Sequence, residues 1–330
     1  MATRWEAGPR DAITDVRGIR VGHWTDRRAG TGCTVILCPT STGAAVDARG
    51  GAPGSRETDV LASANVVRRC DAVVFSGGSA FGLAAADGVM RWCAEHGIGF
   101  TMPAGPVPIV SAAVIYDRGL GRAAAPGADE GYRAARRATG GRVAEGSVGA
   151  GTGATVAKLL GPEHMLKGGL GTASVLGPRG LVVGALAVTN PVGQIQDPET
   201  GRVIAGARGR AGRFLPLPEA IARRTEKMDT MMENTTLVCV ATNAALDHHE
   251  LQRLAIHAHD GLARTINPVH TFADGDIAFA IGLGQVEVKR HDVFTLGAMT
   301  VRAVERAVLK SVLAATSLHG VPSVSEWRGG

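Results

Sequence analysis

Five short apolar runs limit what this chain can fold into: "CTVILCP" (33–39), "DAVVFSGG" (71–78), "GLVVGALAVTN" (180–190), "TLVCVATNA" (236–244) and "DIAFAIGLG" (276–284). Each is bounded by Gly, Pro, Asn or Asp, the punctuation of strands. Within each run the apolar residues are nearly continuous instead of alternating. A strand that alternates needs cover on one face; one that does not is covered on both. Sheets built from such strands need helices laid over them, and the sequence supplies them. In "HHELQRLAIHAHDGLARTI" (248–266), Leu251, Leu254, Ala255, Ala258 and Leu262 form one apolar stripe at helical spacing. "VFTLGAMTVRAVERAVLKSVLAATS" (293–317) is apolar over more of its girth and reads as a central helix. "FGLAAADGVMRWCAEHG" (81–97) ends at Gly97, a helix stop. The expectation is a layered α/β domain with helices outside. Residues 194–233 form one long irregular region with few signals beyond "PEAIARRTEKM", and loops of that length are usually functional or disordered.

Composition narrows the class. Of the 330 residues, 45% are apolar and 20% charged, enough for a sizeable core. Aromatics are only 4%, against 46 glycines, which favours close-packed layers over a stacking surface for single-stranded nucleic acid. The net charge of +5 is spread along the chain, densest in "GRVIAGARGRAGR" (201–213), and reads as a solvated loop. Five cysteines without a C-x-x-C pair suit small buried hydrophobes in a reducing cytosol. The first residues show no apolar signal-peptide core, and no run approaches the roughly 20 apolar residues of a membrane span. A cytoplasmic protein with neither nucleic acid nor membrane as partner is expected.

Near the last third, "KMDTMMENTTLVCVATNA" (227–244) passes abruptly from a polar, Met-rich run into a buried strand, with Thr235 and Thr236 at the border. Asn234-Thr235-Thr236 is a glycosylation sequon, but without secretion it meets no glycosylating machinery. Two readings remain. Paired threonines are ordinary at a strand edge. Alternatively, the chain cuts itself before Thr235. The Thr235 hydroxyl would attack the Asn234 carbonyl, and the freed α-amine, with an ordinary pKa of about 7.7–8.0, would then serve as base to its own hydroxyl.

Nine blocks in order weigh on that choice: "ITDVRGIRVGHW" (13–24), "AVDARGGAPGSRETD" (45–59), "SGGSAFGLAAADGV" (76–89), "VSAAVIYD" (110–117), "GSVGAGTGATVAK" (146–158), "KGGLGTAS" (167–174), "AVTNPVG" (187–193), "ENTTL" (233–237) and "HTFADGDIAFA" (270–280). Together, over nearly the whole chain, they resemble the self-cleaving L-aminopeptidase/D-esterase family, with its β-peptidyl aminopeptidases and nylon-oligomer hydrolases. The resemblance implies a single αββα sandwich of the N-terminal-nucleophile hydrolase type, cut into 1–234 and 235–330. It also implies amide or peptide hydrolysis through an acyl-enzyme, without cofactor or metal, in a homo-oligomer of cleaved protomers. Thr235 matches the family's nucleophile, and Asn190 its oxyanion-stabilising amide. Asp274 and Asp276 match an acidic pair of the nylon-oligomer branch, placed to orient the Thr235 amine and to hold a substrate ammonium group. Lys158 matches a lysine of that branch, with Lys167 a second candidate. Tyr116 matches a pocket-lining residue and reads equally as a core tyrosine. Aminopeptidase members tend to carry a serine nucleophile and a Ser/Glu pair instead of the two aspartates, so this chain leans to the threonine-using branch.

Rival motifs are weaker. "SGGSAFG" lacks the second glycine of a nucleophile elbow, since Phe81 stands there after Ser79. "GAGTGATVAK" is neither a P-loop nor a dinucleotide fingerprint. His248, His249, His257 and His259 read as a polar helix face, lacking zinc spacing. An acyltransferase of the ornithine-acetyltransferase type, also using a self-released threonine, is the alternative activity; an uncleaved small-molecule binding protein is a third. If Asn190 stabilises an oxyanion, Asn190→Ala lowers kcat about 10²–10³-fold with little change in KM. Steady-state kinetics check this, and a pure KM effect would count against the role.

Overall fold

The computed structural model describes residues 5–39, 42–62, 65–224 and 234–328. Ten strands make two five-stranded mixed sheets. They are β1 (Arg20–Asp26), β2 (Thr31–Leu37), β3 (Gly43–Ala48), β4 (Ser55–Arg56), β5 (Ala72–Ser76), β6 (Val110–Val114), β7 (Gly169–Leu176), β8 (Val182–Asn190), β9 (Thr235–Ala244) and β10 (Ile277–Val286). The first sheet runs β1-β2-β5-β6-β4 and the second β7-β8-β9-β10-β3. Each has one parallel pair, β5/β6 and β9/β10, and is otherwise antiparallel.

The continuous apolar runs do what their pattern demands, because successive residues of a strand face opposite ways. Along β9, Leu237, Cys239 and Ala241 enter the core between the sheets with Phe279, Phe75, Val73 and Ile36. Val238 and Val240 point the other way, onto helix residues Leu254, Ala258, Met299 and Ala303. The Phe75 and Phe279 rings, one from each sheet, lie 6.1 Å apart. On the far side of the first sheet, Val35, Val74 and Ala112 pack against α1 (Ala85–Glu95) and α2 (Ala128–Arg136). Over the second sheet lie α3 (His248–Thr265) and α4 (Arg290–Leu313). The result is four layers in the order helix, sheet, sheet, helix.

Local chemistry sets the helix ends. Asp247 caps α3 by accepting the Glu250 N–H at 2.8 Å, while the Glu250 carboxylate accepts the Asp247 N–H at 2.9 Å. The α1 helix begins after a 3-10 stretch (Ser79–Ala84) and stops at Gly97, where φ is +69°. Two sequence expectations need correction. The helix expected over 293–317 runs Arg290–Leu313 and lies in an outer layer beside α3, not at the centre: its broad apolar face is shared between the second sheet and α3. The region 194–224 is less irregular than expected: it carries short strands Gln194–Gln196 and Val203–Ala205, beside the helix Leu217–Ala222 that falls on the signal in "PEAIARRTEKM"; residues 225–233 lie outside the described part.

The many glycines let layers touch backbone to backbone. On β7, a Cβ at Gly171 would lie 2.1 Å from the Ala307 carbonyl oxygen and 2.5 Å from the Ser311 nitrogen of α4. Neither atom can move without displacing the helix. Gly171→Ala is therefore expected to cost about 3 kcal/mol or more, the upper end of overpacking penalties, read as a lowered urea midpoint. A loss under about 0.5 kcal/mol would show that the layers are not packed this closely.

Candidate active site

Residues separated by some 40 positions meet because of strand direction. Strands β9 and β10 are parallel, so both begin at the same edge of the second sheet. Strand β8 is antiparallel to β9 and ends there, with Asn190 directly opposite Thr235. The segment just before β10, carrying Asp274 and Asp276, stands beside the start of β9, where Asn234 bridges to Asp274.

At the uncut junction the Thr235 hydroxyl lies against the carbonyl oxygen of Asn234, within hydrogen-bonding distance. That oxygen also accepts the Gly275 N–H at 2.9 Å. Both Asn234 and Thr235 are buried. Asp276 pins the next residue: its Oδ1 accepts the Thr236 N–H at 2.6 Å, and its Oδ2 accepts the His270 N–H and Nδ1–H at 3.1 and 2.8 Å. Asp274 accepts the Val192 and Thr271 N–H groups, each at 3.2 Å, and the Thr271 hydroxyl. Burial, followed by the neighbouring Asp276, raises the Asp274 pKa above the ordinary carboxylate value.

Asn190 is oriented by what surrounds it. Its Oδ1 accepts the Thr155 N–H at 2.9 Å and the Lys158 ammonium at 3.0 Å; Lys158 also donates to the Asn190 backbone carbonyl at 2.9 Å. Both of these partners can only donate to the amide, so oxygen must face them and the NH₂ must point the other way. There Nδ2 lies 3.4 Å from the Tyr116 carbonyl oxygen. Tyr116 itself is half-buried and lines a cleft with Asp117, Gly153, Thr155, Lys158 and Met165. It is not a fully buried core residue.

The second lysine sits one layer deeper. Lys167 is wholly buried and donates to the carbonyls of Thr152 and Ala154 at 2.9 and 2.5 Å. Burial pushes its pKa down to about 7, against the opposing pull of Asp117. Burial likewise pushes Asp117 up to about 6, although its Oδ1 accepts the Gly78 N–H at 2.7 Å. Lys158, not Lys167, reaches Asn190 with its ammonium; Lys167 holds the segment whose next residue, Thr155, binds the Asn190 oxygen.

Several contributors were not legible beforehand. His259, read as part of a polar face, is buried; its Nε2 donates to the Asp47 carbonyl at 2.9 Å and its ring meets His270 edge-on at 4.8 Å. Burial lowers its pKa below the ordinary imidazole value. His270, Thr271, Thr155 and Gly275 carried no signal beyond their place in a quoted block. Among the described residues, no group of three or more His, Cys, Asp or Glu side chains is gathered to hold a metal, and no helix is long and apolar enough to cross a membrane.

Comparison with known proteins identifies the family. The profile of Peptidase family S58 matches residues 11–324. An uncharacterized aminopeptidase of Mycobacterium leprae is 44% identical, over 96% of this chain and 94% of its own. A 6-aminohexanoate-oligomer endohydrolase of Kocuria is 30% identical, over 90% of this chain and 82% of its own. The solved L-aminopeptidase D-Ala-esterase/amidase of Ochrobactrum anthropi, a variant of the Ntn-hydrolase fold, superposes with a TM-score of 0.74 at 22% identity, over 98% of this chain and 91% of that one. The chain belongs to peptidase family S58, the self-cleaving hydrolases of peptide and amide bonds that its sequence blocks resemble.

Proposed function

We propose that this protein cuts its own chain between Asn234 and Thr235, into 1–234 and 235–330, and then hydrolyses short peptides or amides with Thr235 as N-terminal nucleophile. One observation carries the reading: the Thr235 hydroxyl lies on the carbonyl it would attack, at the edge where Asn190, Lys158 and Asp276 converge. The freed Thr235 amine takes the hydroxyl proton, and the hydroxyl oxygen attacks the substrate carbonyl. The Asn190 Nδ2 donates to the oxygen that becomes negative. Collapse of the intermediate breaks the substrate's carbon–nitrogen bond, the Thr235 ammonium giving its proton to the departing amine, and leaves an acyl-threonine that water hydrolyses to the acid and free Thr235. Asp276 fixes the backbone after the nucleophile, and Asp274, beside it, helps hold cationic groups at this edge. The cleft lined by Tyr116 and Met165 takes the substrate.

The named relatives suggest the substrate range. One is described as an aminopeptidase and another acts on 6-aminohexanoate oligomers, so amides of small amino acids, including those with a displaced amine, are the first substrates to try. Cleaved protomers assemble into a homo-oligomer, and the five buried free cysteines suit a reducing cytoplasm.

Intact mass spectrometry tests the core of the proposal. Wild-type protein should give two fragments beginning at Met1 and Thr235, whereas Thr235→Ala should remain one chain without amidase activity; a variant that still splits there removes Thr235 as the agent. Lys158→Met tests how Asn190 is held. Losing charge-assisted hydrogen bonds worth about 1.5–3 kcal/mol frees the amide to turn, so kcat should fall about 10-fold or more with KM nearly unchanged. Unaltered kcat would leave the lysine without this role.

A further inference from the structure

We propose that the backbone N–H of Gly275 is the oxyanion donor for self-cleavage. The inference rests on Thr235 being the agent of the cut and adds the group that stabilises its transition state. The Asn234 carbonyl oxygen accepts the Gly275 N–H at 2.9 Å while the Thr235 hydroxyl lies against that same carbonyl. Donor, acceptor and nucleophile are thus assembled before any chemistry.

The donor is held by the sheet itself. Leu237 pairs with Ile277 in the parallel ladder, and Asn234 bridges to Asp274 at the same offset of 40 residues. The bond from Gly275 to Asn234 continues the β9/β10 ladder past its regular end. On its other side the 274–276 segment is clamped by the 49–52 segment: the Ala52 N–H donates to the Asp274 carbonyl and the Arg49 N–H to the Asp276 carbonyl, both at 2.9 Å. A donor fixed from both sides needs no reorganisation as charge develops, the condition under which such groups help most.

The residue type fits as well. A Cβ at position 275 would lie 2.6 Å from the Ala52 carbonyl oxygen and 2.7 Å from the Thr235 hydroxyl oxygen. Glycine is required there for space. It brings an N–H to the carbonyl without filling the volume the nucleophile occupies.

The step balances as an acyl shift. The Thr235 hydroxyl oxygen bonds to the Asn234 carbonyl carbon, and the displaced electron pair rests on the oxygen facing Gly275. The carbon–nitrogen bond then breaks, the hydroxyl proton passing to the Thr235 nitrogen, to leave an ester and a free amine. Water splits the ester, giving the Asn234 carboxylate and restoring the hydroxyl.

The experiment replaces Gly275 with glycolic acid, turning its amide into an ester and deleting only the N–H. Conversion of full-length chain to fragments is followed by intact mass. Cleavage at least about 100-fold slower than wild type is expected. The same replacement at Ala280, farther along β10, should leave the rate unchanged. Sarcosine at 275, which masks the N–H without weakening the peptide link, should slow the cut as the ester does. Wild-type cleavage in the 275 ester, or equal slowing by the 280 ester, overturns the proposal. Thr235→Ala keeps the two failures apart. If that variant still splits, the nucleophile assignment falls; if it stays whole while the 275 ester cuts normally, only Gly275 falls.

Discussion

The parallel pairing of β9 with β10 is the constraint on which the rest depends. Parallel strands begin at the same edge, so the loop entering β10 stands beside the first residue of β9, and antiparallel β8 delivers its last residue to the same place. Were β10 antiparallel to β9, Asp274 and Asp276 would sit at the far end of the sheet, some ten residues of strand away. The cost of this arrangement is a crossover, and α3 supplies it, covering the outer face of the sheet as it returns.

The polar groups at that edge are organised in depth. Lys167, wholly buried, ties down the carbonyls of Thr152 and Ala154; the next residue, Thr155, offers its N–H to the Asn190 side chain; and Lys158 adds a charged donor to the same oxygen. An amide that receives two donors on its oxygen has one stable orientation. Asn190 is thereby held in one orientation by donors from the neighbouring 152–158 segment. The acidic side is built alike, with Asp276 holding a backbone N–H of β9 on one oxygen and His270 on the other.

How much of this could be read in the sequence follows from which physical signals are local. The strands were legible because a doubly covered strand leaves an unbroken apolar run, and α3 because its stripe recurs at helical spacing. The junction at Thr235 was legible because polarity changes there within a few residues. Resemblance, not spacing, pointed to Asn190, Lys158, Asp274 and Asp276, since no local pattern says that residues 158, 190, 235 and 276 share one strand edge; only register does. Two features were hidden for opposite reasons. His259 looked solvent-facing because its neighbours on the helix are polar, yet it turns inward to the Asp47 carbonyl. Gly275 drew no notice because a glycine offers no side chain from which to read a role, and its bond to the Asn234 carbonyl is made by the backbone.

The strand order β7-β8-β9-β10-β3 bears on what a break before Thr235 does to the molecule. Strands β9 and β10 follow that point in the chain, yet they lie side by side between β8 and β3, which precede it. Two pieces made by such a break would be interleaved within a single sheet, each flanking or flanked by the other, with α4 from the later piece on β7 and β8 from the earlier one. Scission there would free a chain terminus without creating a seam along which the halves could part. The two pieces would unfold together.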